Sequence, residues 1–461
     1  MVPEHLQFGG GASASLLHPL VAVGALVAVV LLLTLPRDKA ITPFLLAVMM
    51  TPWGQVLVLG GVHFTVIRIL ILAGLARGIW TKLRSSEKWF ETGFSGIDLA
   101  AVLWLSFSCI VVTLQWMNSS MLVASSGNLV DSLGGYLVLR FLIPDGKTIR
   151  RAVKVLALVC VVHGIFMIGE QITRVNVFDY LGGVPSSSTI REGQLRSSGV
   201  FGPLGEGPFA GILVPLFIWL CGRRRSKLAG YAGLGGAAAM LITTHASTPW
   251  MAVAGSLLGL SFWPLRERMR IVRWGFVLIL VALHLYMKSP VWHLIASVNV
   301  TGDSSSYHRY TLVNQTILHF SDWWFLGYRD YAGWDWDMWD TSNLFVATAL
   351  TGGLISLVFL ILAVKRAFGA IGMARKLVHN DHKREWFVWC LGSALFAMLV
   401  TSLGIAYLYQ AQMEVYALLG WSAVVAFEAK RATAPSVEPL KKEKITPAFA
   451  PARSGLRLSA R

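Results

Sequence analysis

A series of apolar blocks, each about 17 to 22 residues long, constrains this chain more than any other feature. A block of that length crosses the hydrocarbon core of a bilayer as a helix. Within lipid a helix is one of the few structures that pairs all its own backbone groups. Thirteen candidate spans fall at about 17–35, 41–58, 62–78, 95–115, 125–141, 152–169, 205–221, 226–243, 246–263, 271–287, 342–363, 387–403 and 409–427. The stretch 125–141 is the weakest of them, because it opens with Ser, Asn, Asp and Gly. The regular ten-residue alternation of a transmembrane barrel is absent. Only 14% of the residues are charged, against roughly 25% in soluble domains. The expected fold class is therefore all-α, a polytopic transmembrane helical bundle of about 12–13 spans with a large extracytoplasmic loop. Residues 1–428 form a single integral membrane domain in this reading, and 429–461 a Pro- and Lys-bearing cytoplasmic tail expected to be disordered.

The opening residues MVPEHLQFGGGASASLLHPLV contain an acidic residue and no basic n-region, so the first block reads as a retained span and not a cleaved signal. The four cysteines, Cys109, Cys160, Cys221 and Cys390, lie in or beside apolar segments, and none forms a CxxC pair. Neither a disulfide framework nor a thiolate metal site is indicated.

Basic residues set the expected orientation. PRDK, RGIWTKLRSSEK, DGKTIRR, CGRRRSK, PLRERMRIVR and VKRAFGAIGMARKLVHNDHKR fall on alternate connections, and the C-terminal tail shares their side. The positive-inside rule places them in the cytoplasm and the N-terminus outside. The net charge of +16 is thus topological: it is dispersed over short loops, where a nucleic-acid surface would group it on one domain.

Two connections on the opposite face are long, about 170–204 and 289–341. Long loops among otherwise minimal connections usually carry function. The larger holds Asp303, Asp322, Asp330, Asp335, Asp337 and Asp340 against Arg309 and Arg329, together with Trp323, Trp324, Trp334, Trp336 and Trp339. Indole faces pack on sugar rings while carboxylates accept hydroxyl hydrogen bonds; the plainer alternative is an interfacial aromatic belt. YHRYTLVNQTILHF reads as an amphipathic helix with His308 and Arg309 near its start, where Arg309 forks onto a phosphate or carboxylate or pairs with a nearby Asp. In the smaller loop Arg191 and Arg196 either converge on one anion or snorkel at the interface. The following GVFGPLGEGPFAG allows close backbone approach and a helix start whose positive end attracts phosphate.

Over its whole length the chain resembles the O-antigen ligase/polymerase superfamily of integral membrane enzymes acting on polyprenyl-diphosphate-linked glycans. Three stretches carry the resemblance: LRSSGVFGPLGEGPFAGILVPL, SSSYHRYTLVNQTILHFSDWWFLGYR and DTSNLFVATALTGGLISLVF. Arg196, Arg309, Gly327, Asn343 and the pair Gly352–Gly353 take the positions of the family's motif residues. The resemblance implies that Arg196 and Arg309, helped by Arg191, bind the diphosphate of an undecaprenyl-diphosphate-linked donor. It implies that the large loop covers a cavity open to the periplasm; the expected sugar contacts in and beside that loop are Trp323, Trp324, Asp330, Trp334, Trp336 and Asn343. An inverting, metal-independent glycosyl transfer with no cofactor follows, in the bacterial inner membrane, with membrane lipids, a flippase and a chain-length regulator as partners and no nucleic acid.

Two departures matter. Ligases of this superfamily typically carry His before the Asn at the end of the loop, and Ser342 stands here. Asp340, Glu206 and His308 then remain as candidates to accept a proton, and a repeat-unit polymerase becomes the expected activity ahead of a ligase. Where relatives often show a Ser-Arg pair opening a span, TTHASTPW offers His245, Ser247 and Thr248 and no arginine. A transporter or an assembly scaffold is the alternative outside enzymes; a transporter should show internal repeats and midplane charges, whereas here the polar weight lies in two loops.

Overall fold

Each of the thirteen windows holds helix in a computed structural model of the protein, which describes residues 15–84, 88–182, 189–191, 193–297, 305–336 and 338–433. The helices are α1 (Pro19–Thr34), α2 (Arg37–Met50), α3 (Val66–Arg84), α4 (Gly96–Trp116), α5 (Ser119–Leu129), α6 (Gly135–Leu142), α7 (Gly146–Thr173), α8 (Pro203–Cys221), α9 (Lys227–Thr243), α10 (Ser247–Ser261) and α11 (Met269–Tyr286). The large connection contains α12 (Leu294–Ser297), α13 (Ser305–Leu318) and α14 (Phe320–Trp323), and α15 (Leu344–Leu377), α16 (His382–Thr401) and α17 (Gln410–Thr433) complete the bundle. The protein is an all-α polytopic membrane bundle. Among the described residues six helices, α4, α7, α8, α11, α15 and α16, are long and apolar enough to cross a membrane. The remaining windows hold helices that are shorter, as in the 14 residues of α2, or that are more polar, as in α3 with its arginines and α17 with its glutamines.

Two windows are trimmed for a visible reason. Helix α2 ends at Met50 because Pro52 disfavours helical geometry in the residue before it. The chain then forms a hairpin, β1 (Val56–Leu59) against β2 (Val62–Thr65), around Gly60 and Gly61, both in the left-handed region that a tight hairpin turn requires. At the other end of the chain, α17 continues to Thr433, so the first residues of the expected tail are helical. The rest of that tail lies outside the described residues.

Side-chain bonds define two ends of the bundle. At one, Arg37 donates to the carbonyls of Phe141 and Trp89, Arg366 to that of Gly96, and Arg223 to that of Lys383. Arg266 and Arg375 there share Glu385, and Gly146 donates to Glu428. The basic connections therefore gather on one side, as the alternation of charge in the sequence requires. At the other end Trp53 donates to Gln410, Gln410 to the carbonyl of Thr51, and Gln55 to those of Leu181 and Gly182. Both long connections belong to this second, loop-bearing end.

Near the basic end a buried ion pair ties four segments together. Asp98 opens α4 in a capping box with Ser95, and its carboxylate also accepts the Tyr136 hydroxyl and Arg140 Nε, each at 2.6 Å. Asp98 is 0% exposed and Arg140 2%. The guanidinium lies over the Phe90 ring, and a Cβ at Gly420 of α17 would come within 2.8 Å of the Arg140 side chain. Every lone pair has a donor, which is what makes such burial tolerable. Removing one partner leaves a bare charge: Asp98→Ala and Arg140→Ala should each lower stability by about 3–5 kcal/mol in detergent unfolding. The double variant should lose less than the sum, because the interaction is counted twice in the single changes.

Candidate functional site

The smaller loop is held by two buried carboxylates. Glu170, at the end of α7, accepts the backbone N–H groups of Ser198 and Gly199 at 2.9 and 3.1 Å. Glu206, in the first turn of α8, accepts those of Val200 and Phe201 at 2.6 and 3.2 Å. Four successive amides thus close on two acids, and His163 Nδ1 meets the other oxygen of Glu206 at 2.8 Å. Gly199 is in the left-handed region, and a Cβ there would sit 2.5 Å from Glu206 Oε1. Glycine is demanded at that point by both strain and space. The arrangement corrects one expectation: Glu206 is fully buried with both oxygens engaged, so it builds the framework and is poorly placed to take a proton from a substrate.

This strap carries Arg196. The residue ends β4 (Gln194–Arg196), which pairs with β3 (Thr189–Arg191) so that Thr189 faces Arg196. Backbone register sets Arg191 two positions from Arg196's partner; the Arg191 side chain lies outside the described residues. Arg196 is half-buried. Gln171 donates to the carbonyls of Leu195 and Thr243, and Ser197 N–H to that of Thr243, which joins the strap to the turn between α9 and α10.

Arg309 reaches the far side of the same turn. It is 6% exposed and donates to Ser247 Oγ at 2.9 Å and Thr248 Oγ1 at 3.1 Å. Both hydroxyls belong to the first residues of α10, whose cap residue Ala246 offers no side-chain acceptor to the leading N–H groups. A guanidinium and the positive end of a 15-residue helix therefore meet at one point. The turn itself carries no arginine, and Ser247 and Thr248 instead hold one that arrives from α13. Gly404 leaves room for it, since a Cβ there would stand 2.9 Å from Arg309 Nε.

The end of the large loop adds a second cluster. His308 Nε2 contacts the Asp340 carbonyl at 3.1 Å and lies 3.8 Å from its carboxylate, while Ser342 Oγ donates to the other carboxylate oxygen. The Asp340 side chain is 40% exposed, so two of the three expected proton carriers come together and one is open to solvent. Burial, with the Asp340 charge adding to it, holds the nearby Tyr331 phenol above its ordinary pKa. Asn343 does not face outward: it is buried, caps α15 by accepting from Phe345 and Val346, and donates to the carbonyl of Leu403. The side chain expected from the sequence to contact sugar here seats the start of α15.

The tryptophans divide. Trp323 lies in a small core with Leu312, Met338, Val346, Ala349 and Leu350, its indole N–H bonded to the carbonyl of Thr316. Trp334 is stacked on His319 and on Tyr328, at centroid distances of 4.4 and 5.2 Å. Those two shape the loop. Trp324, Trp336 and Trp339 are exposed, as is Asp330, which pairs with Arg329. The ring surface open to a ligand is thus smaller than the tryptophan count suggests.

The loop is anchored by a break in α15. Gly353 leaves helical geometry at φ 65°, which frees the Leu350 carbonyl to accept Tyr328 N–H at 2.8 Å and lets Leu354 N–H reach the Trp324 carbonyl at 2.8 Å. Gln115 of α4 donates to the carbonyls of Leu326 and Leu350. Gly327, also left-handed, packs so closely that any Cβ would enter the Leu350 carbonyl. Gly327→Ala and Gly353→Ala should each release the loop, with about 1–3 kcal/mol of backbone strain before any clash is counted. Limited proteolysis within 305–343 should show faster cleavage in both variants, and cleavage at the wild-type rate would contradict this anchoring.

His163 and Glu170 escaped the sequence reading, although a signal was present. They stand seven residues apart on one face of an apolar span, and ionisable groups in such a span are rarely incidental. Among the described residues there is no cluster of three or more His, Cys, Asp or Glu arranged to hold a metal ion. Fold and site together define a polytopic α-helical membrane protein with a folded loop over one end of its bundle. No protein-family model and no curated protein matches the chain.

Proposed function

We propose that the protein is an inner-membrane glycosyltransferase that polymerises undecaprenyl-diphosphate-linked oligosaccharide repeat units. One observation carries the reading: Arg309 stands at the uncapped start of α10, joined through the Thr243–Thr248 turn to the strap that bears Arg196. Two guanidinium groups and a helix N-terminus on one end of a membrane bundle suit a diphosphate at the membrane surface. A nearby exposed carboxylate, Asp340, and exposed indoles supply what a sugar acceptor needs. The positive-inside rule assigns the basic end to the cytoplasm and the loop-bearing end to the periplasm.

In this reading the acceptor hydroxyl of one repeat unit attacks the anomeric carbon of the sugar borne by the lipid diphosphate. The new carbon–oxygen bond forms opposite the old one, and configuration inverts. The electron pair of the breaking bond passes to the diphosphate oxygen, where Arg196 and Arg309 stabilise the charge. The acceptor proton goes to Asp340, oriented by Ser342 and His308. As the resemblance implies, the transfer uses no metal or cofactor. A ligase acting on another acceptor shares every step but the acceptor's identity.

The test incubates purified protein with lipid-linked repeat units. Wild type should build a ladder on the lipid diphosphate. Arg309→Ala and Arg196→Ala should each slow it by about 10²-fold or more, and Asp340→Asn by about 10²- to 10⁴-fold. Equal product from wild type and Arg309→Ala, or none from wild type unless a second acceptor is added, would sink the polymerase assignment.

A further inference from the structure

A groove of about 910 Å³ runs between α1 and α2, and neither Arg196 nor Arg309 lines it. At the loop-bearing end it reaches Thr51 and Leu181; at the basic end it reaches Lys39 and Arg151. Between those ends its lining is almost entirely aliphatic. Gly24 on α1 removes side-chain volume from one wall, and a Cβ there would meet nothing within 4 Å. On the facing wall Pro43 lies within α2 and takes an N–H out of its ladder.

Charge and length select the occupant. Arg151 is paired with Asp38 at 2.8 Å, so the net positive charge at the mouth comes from the exposed Lys39. Nothing comparable stands at the other mouth, where Thr51 and Leu181 are neutral. A head group attracted here is therefore anionic and sits in the leaflet of the basic end. The 16 residues of α1 rise about 24 Å. One leaflet offers only half of a hydrocarbon core of about 30 Å, or roughly 15 Å. A chain that fills the groove from Lys39 must continue well beyond the midplane.

We infer that this groove binds one anionic lipid with a hydrocarbon chain longer than a leaflet, its phosphate at Lys39 and its chain laid between α1 and α2. The site is independent of the reaction proposed for the loop-bearing end, because head group and arginines lie at opposite ends of the bundle. Long isoprenoid phosphates have this chemistry, and ordinary phospholipids share the charge without the length.

The experiment measures lipid retained by the full-length protein, by native mass spectrometry after detergent exchange. The probes are a C55 polyprenyl monophosphate and dioleoyl phosphatidylglycerol. The polyprenyl phosphate should be held about tenfold more tightly than the phospholipid. Lys39→Glu, a change at an exposed position, should weaken it about fivefold or more. Gly24→Leu, which fills the groove, should weaken it about tenfold while the lipid-free protein melts as wild type does. Arg309→Ala should leave at least one polyprenyl phosphate bound, the one held at Lys39. Equal retention of the two lipids would overturn the length argument, and full retention by Lys39→Glu or by a normally melting Gly24→Leu would remove the lipid from this groove. Loss in Arg309→Ala with retention in Lys39→Glu would place it at the loop-bearing end instead and defeat the inference.

Discussion

Buried backbone polar groups must find their partners within the protein, and the loop-bearing end of this bundle is shaped by how that requirement is met. Where α15 breaks at Gly353, the freed carbonyl of Leu350 is taken by Tyr328 and Gln115. Where the chain turns through 198–201 ahead of α8, four amides are taken by Glu170 and Glu206. Each departure from helix is thus closed by a named partner. Those partners also decide where the strap and the large loop can lie, and so where Arg196 and Arg309 stand.

The two carboxylates illustrate how burial and function divide labour. Taking an acid out of water is costly unless its lone pairs are filled. Glu170 and Glu206 fill theirs with backbone donors and His163, and become rigid supports. Asp340 keeps solvent access and only local partners, which leaves it the carboxylate suited to exchange a proton. Three acids of similar appearance in the sequence therefore have unlike surroundings, which the packing around each of them decides.

The aromatic loop shows the same division. Trp323 and Trp334 are spent on the core and the stacking that give the loop a shape. Trp324, Trp336 and Trp339 remain on its surface. Composition marks the segment as unusual, because polar and aromatic residues concentrate there beyond what lipid contact requires. It does not say which rings face inward, since that depends on α15 and α4 packing beneath the loop.

Much of the architecture was legible in the chain itself. Apolar blocks of spanning length and alternating basic connections determine a helical membrane bundle with one basic end and two long loops at the other, because lipid and charge act on local sequence. Gly327 and Gly353 stand in the stretches that carry the resemblance, but that both take the left-handed backbone glycine adopts most readily is visible only in the fold. What the tertiary structure alone decided is which distant residues meet. Arg309 finds Ser247 and Thr248 across about sixty positions, Glu206 turns to His163, and Asn343 turns inward to cap α15. Those pairings follow from helices packing side by side, and no local pattern of sequence encodes a neighbour brought in by another helix.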